Sequence, residues 1–262
     1  MGTCVVALNI PAKSYVLSDK NPHLVRFYKS LQSKEFSHHA ARKFLLSAGE
    51  RLREEGEEYY YFVRERFNSS GNPLDFLFLN RACFNGMIRF NKKGNFNVPF
   101  CRKENRFSAA YITKICNQIE KMASFLQYND IKINCCDFRD VIDGNEEKDT
   151  VIYCDPPYID RHADYYNAWD EKDEKALHAL LLGSKTNFIL STWHHNKFRR
   201  NVYIEKLWST FSIITREHFY HVGANLQNRN TMTEALITTL NIQNKSFMSK
   251  NQDQYNIFNI ST

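Results

Sequence analysis

Val151-Ile152-Tyr153-Cys154-Asp155-Pro156-Pro157-Tyr158 is the stretch on which the reading of this chain turns. A short apolar run, the pattern of a buried strand, stops at an acid and two prolines. Two consecutive prolines lack N–H donors and fix φ, so the chain leaves the strand in an open corner, with the Pro156 carbonyl pointing outward beside the Asp155 carboxylate. Two acceptors then face one small donor. That suits the two N–H hydrogens of a planar amino group such as that of adenine, because accepting both favours a pyramidal, more nucleophilic nitrogen. Tyr158 supplies a face on which an extruded base can stack. A plain turn is the competing reading of Asp-Pro; the aromatic in fourth position and the apolar strand before it weigh against that.

Working outward, the pattern predicts strands at Ser14 to Ser18, Ile131 to Cys136, Thr150 to Cys154, Phe188 to Thr192, Phe211 to Thr215 and Ala235 to Leu240, most of them separated by helical segments. Helices are expected from Pro22 to Leu31, across Lys34 to Asn68, from Asp75 to Phe84 and from Ala109 to Leu126. Strands alternating with helices predict an α/β fold with a largely parallel sheet that binds ligands along its carboxyl edge; the last two strands have an antiparallel hairpin as their alternative. Asn91-Lys92-Lys93-Gly94-Asn95 reads as the tip of a basic β-hairpin. Tyr59 to Phe62 and Phe76 to Leu79 read as core of a helical section. The tail beyond Asn241 is polar.

Apolar residues make up 43% of the 262 and charged residues 24%, values that point to neither disorder nor a membrane class. With no apolar run near the ~20 residues of a membrane helix and no signal-peptide layout, the cytoplasm is the expected location and no membrane partner is expected. The cysteines (Cys4, Cys83, Cys101, Cys116, Cys135, Cys136 and Cys154) form no C-x-x-C pair and read as reduced, with Cys154 a strand filler. Adjacent His194 and His195 lack useful ligand spacing, so no metal is expected. The net charge is +6, and between Arg81 and Arg106 seven basic residues stand against one acid, Glu104. Such a concentration is what a phosphate-binding surface needs, a solvated charged loop being the alternative. Arg89, Asn91, Asn95 and Asn97 have the chemistry of major-groove readers, and Arg102, Lys103 and Arg106 that of phosphate contacts.

At D-P-P-Y the chain resembles the amino-methyltransferases, and its surroundings are similar to the Dam-like, D12-class (alpha group) adenine DNA methyltransferases, in the branch of the EcoRV modification methylase. The likeness runs from Gly2 to about Leu240. Asn80 to Asn91 (NRACFNGMIRFN) and Gly94 to Phe100 (GNFNVPF) resemble the family's target-recognition segment, which includes Arg81 and Asn85. Leu190 to Asn196 (LSTWHHN) looks like the strand-end motif that shapes the base pocket. The resemblance implies a Rossmann-like sheet that binds S-adenosyl-L-methionine, with Gly2 at the methionine end, Asp19 at the ribose hydroxyls and Asp137 with Phe138 at the cofactor's adenine. Asp19 has helix capping as its competing role. It implies a catalytic domain over 1–33 and 111–245, an inserted, mainly helical target-recognition domain over 34–110, and a tail over 246–262.

The function so implied is site-specific methylation of N6 of adenine in double-stranded DNA, at a GATATC or GATC-like site, by a monomer in which Asp155, Pro156 and Tyr158 carry the chemistry. The family carries an F-x-G-x-G loop, and this chain begins inside it: Met1-Gly2-Thr3-Cys4 keeps one glycine and has Cys4 where the second is expected. An N-terminally truncated member is therefore expected, lacking the strand between those ending at Asp19 and Cys154. The alternatives are a DNA-binding remnant without catalysis and an RNA amino-methyltransferase, the latter generally without so large an insertion.

Overall fold

The computed structural model describes residues 1–142, 149–159, 169–219 and 231–240; the tail expected over 246–262 lies outside them. The chain divides into two compact units, Met1–Cys136 and Asp137–Lys250.

In the first unit a short helix, α1 (Val5–Asn9), precedes strand β1 (Ser14–Asp19), followed by α2 (Pro22–Gln32), α3 (His38–Glu55), α4 (Glu57–Ser70), α5 (Pro73–Ala82), α6 (Ala109–Tyr128) and strand β2 (Asp130–Cys135). β1 and β2 pair in parallel, Ser14 opposite Asp130 and Asp19 opposite Cys135. Helix starts follow local chemistry. Asn21 and Asn72 cap α2 and α5 by accepting backbone N–H bonds, each with proline in the first turn, where the missing N–H costs nothing. The helical stretch expected across Lys34 to Asn68 is two helices. Gly56, at φ 58° and ψ −129°, ends α3 with an N–H bond to the Leu52 carbonyl and starts α4, a conformation open to glycine and costly for other residues.

Phe27, Tyr28, Phe67, Phe76 and Phe78 are fully buried and form an aromatic core; Tyr59, Tyr60 and Leu77 join it. Phe78 stacks on Phe107 at 5.0 Å between ring centroids. A Cβ at Gly49 would lie 2.6 Å from the Phe107 Cβ, so this glycine of α3 is set by close packing.

The segment expected as a basic β-hairpin forms isolated antiparallel bridges, Cys83 with Phe100 and Phe90 with Phe96, in place of regular strands. Side chains of α4 take the backbone groups that a longer ladder would pair. Asn68 accepts from the Phe96 N–H (2.7 Å) and donates to the Phe96 carbonyl (3.2 Å), and the Tyr60 hydroxyl donates to the Val98 carbonyl (2.7 Å).

The second unit contains β3 (Val151–Cys154), α7 (Glu171–Gly183), β4 (Asn187–Asn196), β5 (Ser212–Phe219) and β6 (Thr231–Thr238). The four strands form one sheet in the order β3-β4-β6-β5. β3 pairs with β4 in parallel, but β6 pairs antiparallel with both β4 and β5. The largely parallel sheet expected from the sequence is therefore corrected to a mixed one, in which the last two strands take their antiparallel alternative. The segment joining β4 to β5 leaves a one-strand gap between them, and β6 fills it from the opposite direction. β4 also runs past its apolar part to Asn196, through a register shift between Trp193 and His195.

One face of this sheet carries Phe188, Leu190, Ala235 and Ile237, packed with Leu177 and Leu181 of α7 and with Trp208. Asp170 and Asp173 cap α7 reciprocally. Glu174 is buried, and its two carboxylate oxygens accept from the Trp169 indole (2.7 Å) and the Trp208 indole (2.8 Å). Replacing Glu174 by Leu strands two indole N–H groups and is expected to cost about 2–4 kcal/mol, with Glu174→Gln costing less because one acceptor oxygen remains. Chemical denaturation checks this; equal stability of Glu174→Leu and the parent chain would contradict it.

Candidate active site

The corner lies at the end of β3. Pairing with β4 stops at Cys154 opposite Leu190, and the next residues, Asp155 to Tyr158, have no regular secondary structure. Asp155 is solvent-exposed, and Pro156, Pro157 and Tyr158 are half-buried. Although the residue reaches solvent, protein packed around it raises the Asp155 carboxyl above its ordinary range, with the nearby Glu234 charge adding to the effect. Burial pushes the Cys154 thiol up to about 12, which leaves it an inert filler.

The Tyr158 hydroxyl donates to Glu234 Oε1 at 3.3 Å and also meets the Ser191 hydroxyl; burial, ahead of the Glu234 and Asp155 charges, raises the phenol above its usual range, while Ser191 acts in the opposite direction. Tyr153 interacts with the same Ser191. Next along the chain, the Ile159 carbonyl accepts from the buried Trp193 indole at 2.8 Å. The strand-end motif Leu190 to Asn196 thus holds the corner through Ser191 and Trp193. Glu234 falls outside the strand expected from the sequence, which starts at Ala235, whereas β6 starts at Thr231. An acid inside a strand of alternating burial was the available signal. His194 and His195 face each other with their Nδ1 atoms 2.8 Å apart. Among the described residues, no group of three or more His, Cys, Asp or Glu side chains is arranged to hold a metal ion.

Also in the second unit, Asp137 accepts from the Arg139 backbone N–H (3.1 Å) and pairs with its guanidinium (2.9 Å), while Arg139 reaches Asp173 at 2.6 Å. Phe138 packs against Trp169 at 5.3 Å and lies under Arg139, 4.4 Å from its ring centroid. In the first unit, Asp19 closes β1. Its Oδ1 accepts from the Asn21 N–H (2.9 Å) and its Oδ2 from the Gly2 N–H (3.1 Å), and the Gly2 carbonyl accepts from the Tyr28 hydroxyl (3.0 Å). Gly2 and Asp19, far apart in sequence, are brought together.

The basic segment separates into exposed and inward-turned residues. Asn85, Asn91, Lys92, Lys93, Arg102 and Lys103 are exposed. Asn91 shapes the tip, its Oδ1 accepting from the N–H groups of Lys93 (2.9 Å) and Asn95 (3.1 Å). Arg89 and Asn97 engage each other at 2.9 Å. Arg81, expected to face DNA, is 5% exposed: its guanidinium lies over Tyr111 at 4.1 Å, and its Nε donates to the Arg106 carbonyl (3.1 Å) while Arg106 Nε donates to the Arg81 carbonyl (3.1 Å). This reciprocal clasp ties Arg81 to Arg106. Arg81 and Tyr111, with Arg102, Lys103, Glu104, Asn105 and Arg106, line an open depression of about 350 Å³.

A DNA adenine methylase of Vibrio cholerae is 32% identical over 163 residues, 60% of this chain and 54% of the relative, so the match spans about half of that protein. The DNA adenine methylase of Haemophilus influenzae is 30% identical over 216 residues, covering 78% of this chain and 71% of the relative. The Type II methyltransferase M.MjaIII of Methanocaldococcus jannaschii is 34% identical over 161 residues, 56% of this chain and 50% of the relative. No helix among the described residues is long and apolar enough to cross a membrane. The sequence profile of the D12 class of N6 adenine-specific DNA methyltransferases matches residues 1–222, and this chain belongs to that family.

Proposed function

We propose that this chain transfers a methyl group from S-adenosyl-L-methionine to the exocyclic N6 nitrogen of adenine in double-stranded DNA. The observation that carries the proposal is an exposed carboxylate, Asp155, at a double-proline corner whose aromatic, Tyr158, is anchored from the neighbouring strands. Family membership supports it, as do the names of the relatives.

The cofactor residues fit their roles by chemistry. Asp19 accepts two backbone N–H bonds and pairs with the Met1 ammonium at 3.5 Å, and as a carboxylate with about four acceptor positions it keeps capacity for a ribose diol. Phe138 offers an aromatic surface and Asp137 an acceptor for an adenine. The cofactor supplies an electrophilic methyl group on a sulfonium. We assign catalysis to 1–33 and 111–245, and target recognition to 34–110.

Lys92 and Lys93 at the exposed tip, with Arg102 and Arg106, neutralise phosphates, and Asn85, Asn95 and the Arg89–Asn97 pair supply edges for base reading. Rotating the target adenine out of the stack costs a few kcal/mol, which the stacking face of Tyr158 offsets in part. Asp155 and the Pro156 carbonyl then accept the two amino hydrogens, localise the nitrogen lone pair and aim it; the surplus proton leaves to solvent after transfer.

Asp155→Ala is expected to lower methyl transfer by at least about 100-fold, measured with labelled S-adenosylmethionine, while DNA affinity stays within about twofold. Transfer near the parent rate would remove Asp155 from the chemistry. Because Asp155 works ionised and its pKa is raised, the rate should fall on acidification at a pH above that of an ordinary aspartate; a rate flat into the ordinary carboxylate range would contradict this. Changing Lys92 and Lys93 to Ala should weaken binding and shallow its logarithmic salt dependence by about two units. An unchanged slope would take both lysines out of the interface.

A further inference from the structure

We propose that Glu234 is a positioning residue for the transfer reaction, holding the Tyr158 phenol so that its ring is fixed where the target base stacks. The inference rests on the functional reading above and adds a residue that neither the D-P-P-Y motif nor its flanking segments contain.

β6 lies between β4 and β5, and Glu234 sits opposite Trp193 on one side and Arg216 on the other. Glu234 is half-buried, so part of its hydration is replaced by neighbouring protein groups. Alternation along the strands puts Tyr153, Ser191 and Glu234 on the sheet face opposite that of Phe188, Leu190 and Ile237. The Tyr158 hydroxyl crosses to this face and donates to Glu234 Oε1 at 3.3 Å, with Ser191 sharing the phenol. With the Trp193 indole bound to the Ile159 carbonyl, the segment after the prolines is tied at two adjacent residues.

A phenol held at its oxygen loses ring rotation while both ring faces stay free of the hydrogen bond. Without Glu234, Tyr158 must be ordered anew in each encounter, which lowers the fraction of complexes with the amine in place. The carboxylate also raises the Asp155 pKa, so Glu234 influences both sides of the corner.

The test is a double-mutant cycle on the whole chain with Glu234→Leu, Glu234→Gln, Tyr158→Phe and the double variant Tyr158→Phe/Glu234→Leu. Labelled methyl transfer to DNA lacking adenine methylation is read beside [13Cζ]tyrosine NMR. Glu234→Leu and Tyr158→Phe should each lower kcat about tenfold with little change in KM for the cofactor, and the double variant should fall no further. Glu234→Gln, which keeps an acceptor but no charge, should recover most of kcat with its acid limb moved to lower pH. The Tyr158 resonance, identified by its loss in Tyr158→Phe, should move toward that of free tyrosine in Glu234→Leu and stay near its parent position in Glu234→Gln.

An unmoved Tyr158 resonance in Glu234→Leu, a parent-like kcat, or additive losses in the double variant would each overturn the role of Glu234 while leaving Asp155 untouched. A parent chain that transfers no methyl group, or an Asp155→Ala chain that transfers it normally, defeats the underlying reading and this one with it.

Discussion

Pro156 and Pro157 withdraw two N–H donors from the end of β3, and with them any continuation of its pairing with β4 beyond Cys154 and Leu190. Asp155, the residue before them, is kept out of helical geometry by the ring of Pro156. The result is a carboxylate that stands clear of the ladder, next to a carbonyl with no strand partner to satisfy. Such a corner can serve an incoming donor only if it does not collapse. Its rigidity is supplied partly by proline and partly by side chains of β4 and β6: Ser191 and Glu234 on the Tyr158 hydroxyl, and Trp193 on the Ile159 carbonyl. An unconstrained loop would lose that pre-organisation as ordering entropy on every encounter.

The same economy of satisfied polar groups runs through both units. Glu174 lies under two tryptophans and bonds both indoles. Asp75, fully buried, is held by the Arg66 guanidinium through two bonds, at 2.6 and 2.9 Å. Asn68 and Tyr60 take over backbone groups of the basic segment. Each case replaces lost hydration with a specific partner, so each is costly to break and little gained by adding more. The basic tip can then remain exposed, because its base is held by Phe90, Phe96, Val98 and Phe100, all buried.

Much of this was legible beforehand because it depends on local chemistry. The apolar run to Cys154 and the prolines after it fixed the corner, and Asn21-Pro22 and Asn72-Pro73 fixed helix starts. What escaped depends on contacts between distant residues. A sequence gives the charge of Arg81 but neither its burial nor the Tyr111 ring over which it lies. It shows the turn at Asn91 but not that Asn68 would pre-empt the strands on either side. The antiparallel pairing of the last two strands was among the alternatives the pattern allowed. The insertion of β6 between β4 and β5, however, is a property of the assembled sheet, and Glu234 acquires its partner only once that sheet exists. Gly56 was a weaker local signal, a lone glycine in a helical pattern that tolerates continuation as well as a break.

The central claim is that Asp155 and the Pro156 carbonyl grip the amino group of an adenine. Nucleoside mass spectrometry of unmethylated duplex DNA, digested after incubation with the chain and S-adenosylmethionine, tests it most directly. The account requires N6-methyladenine as the product; methylated cytosine in its place, or no methylated base at all, would contradict it.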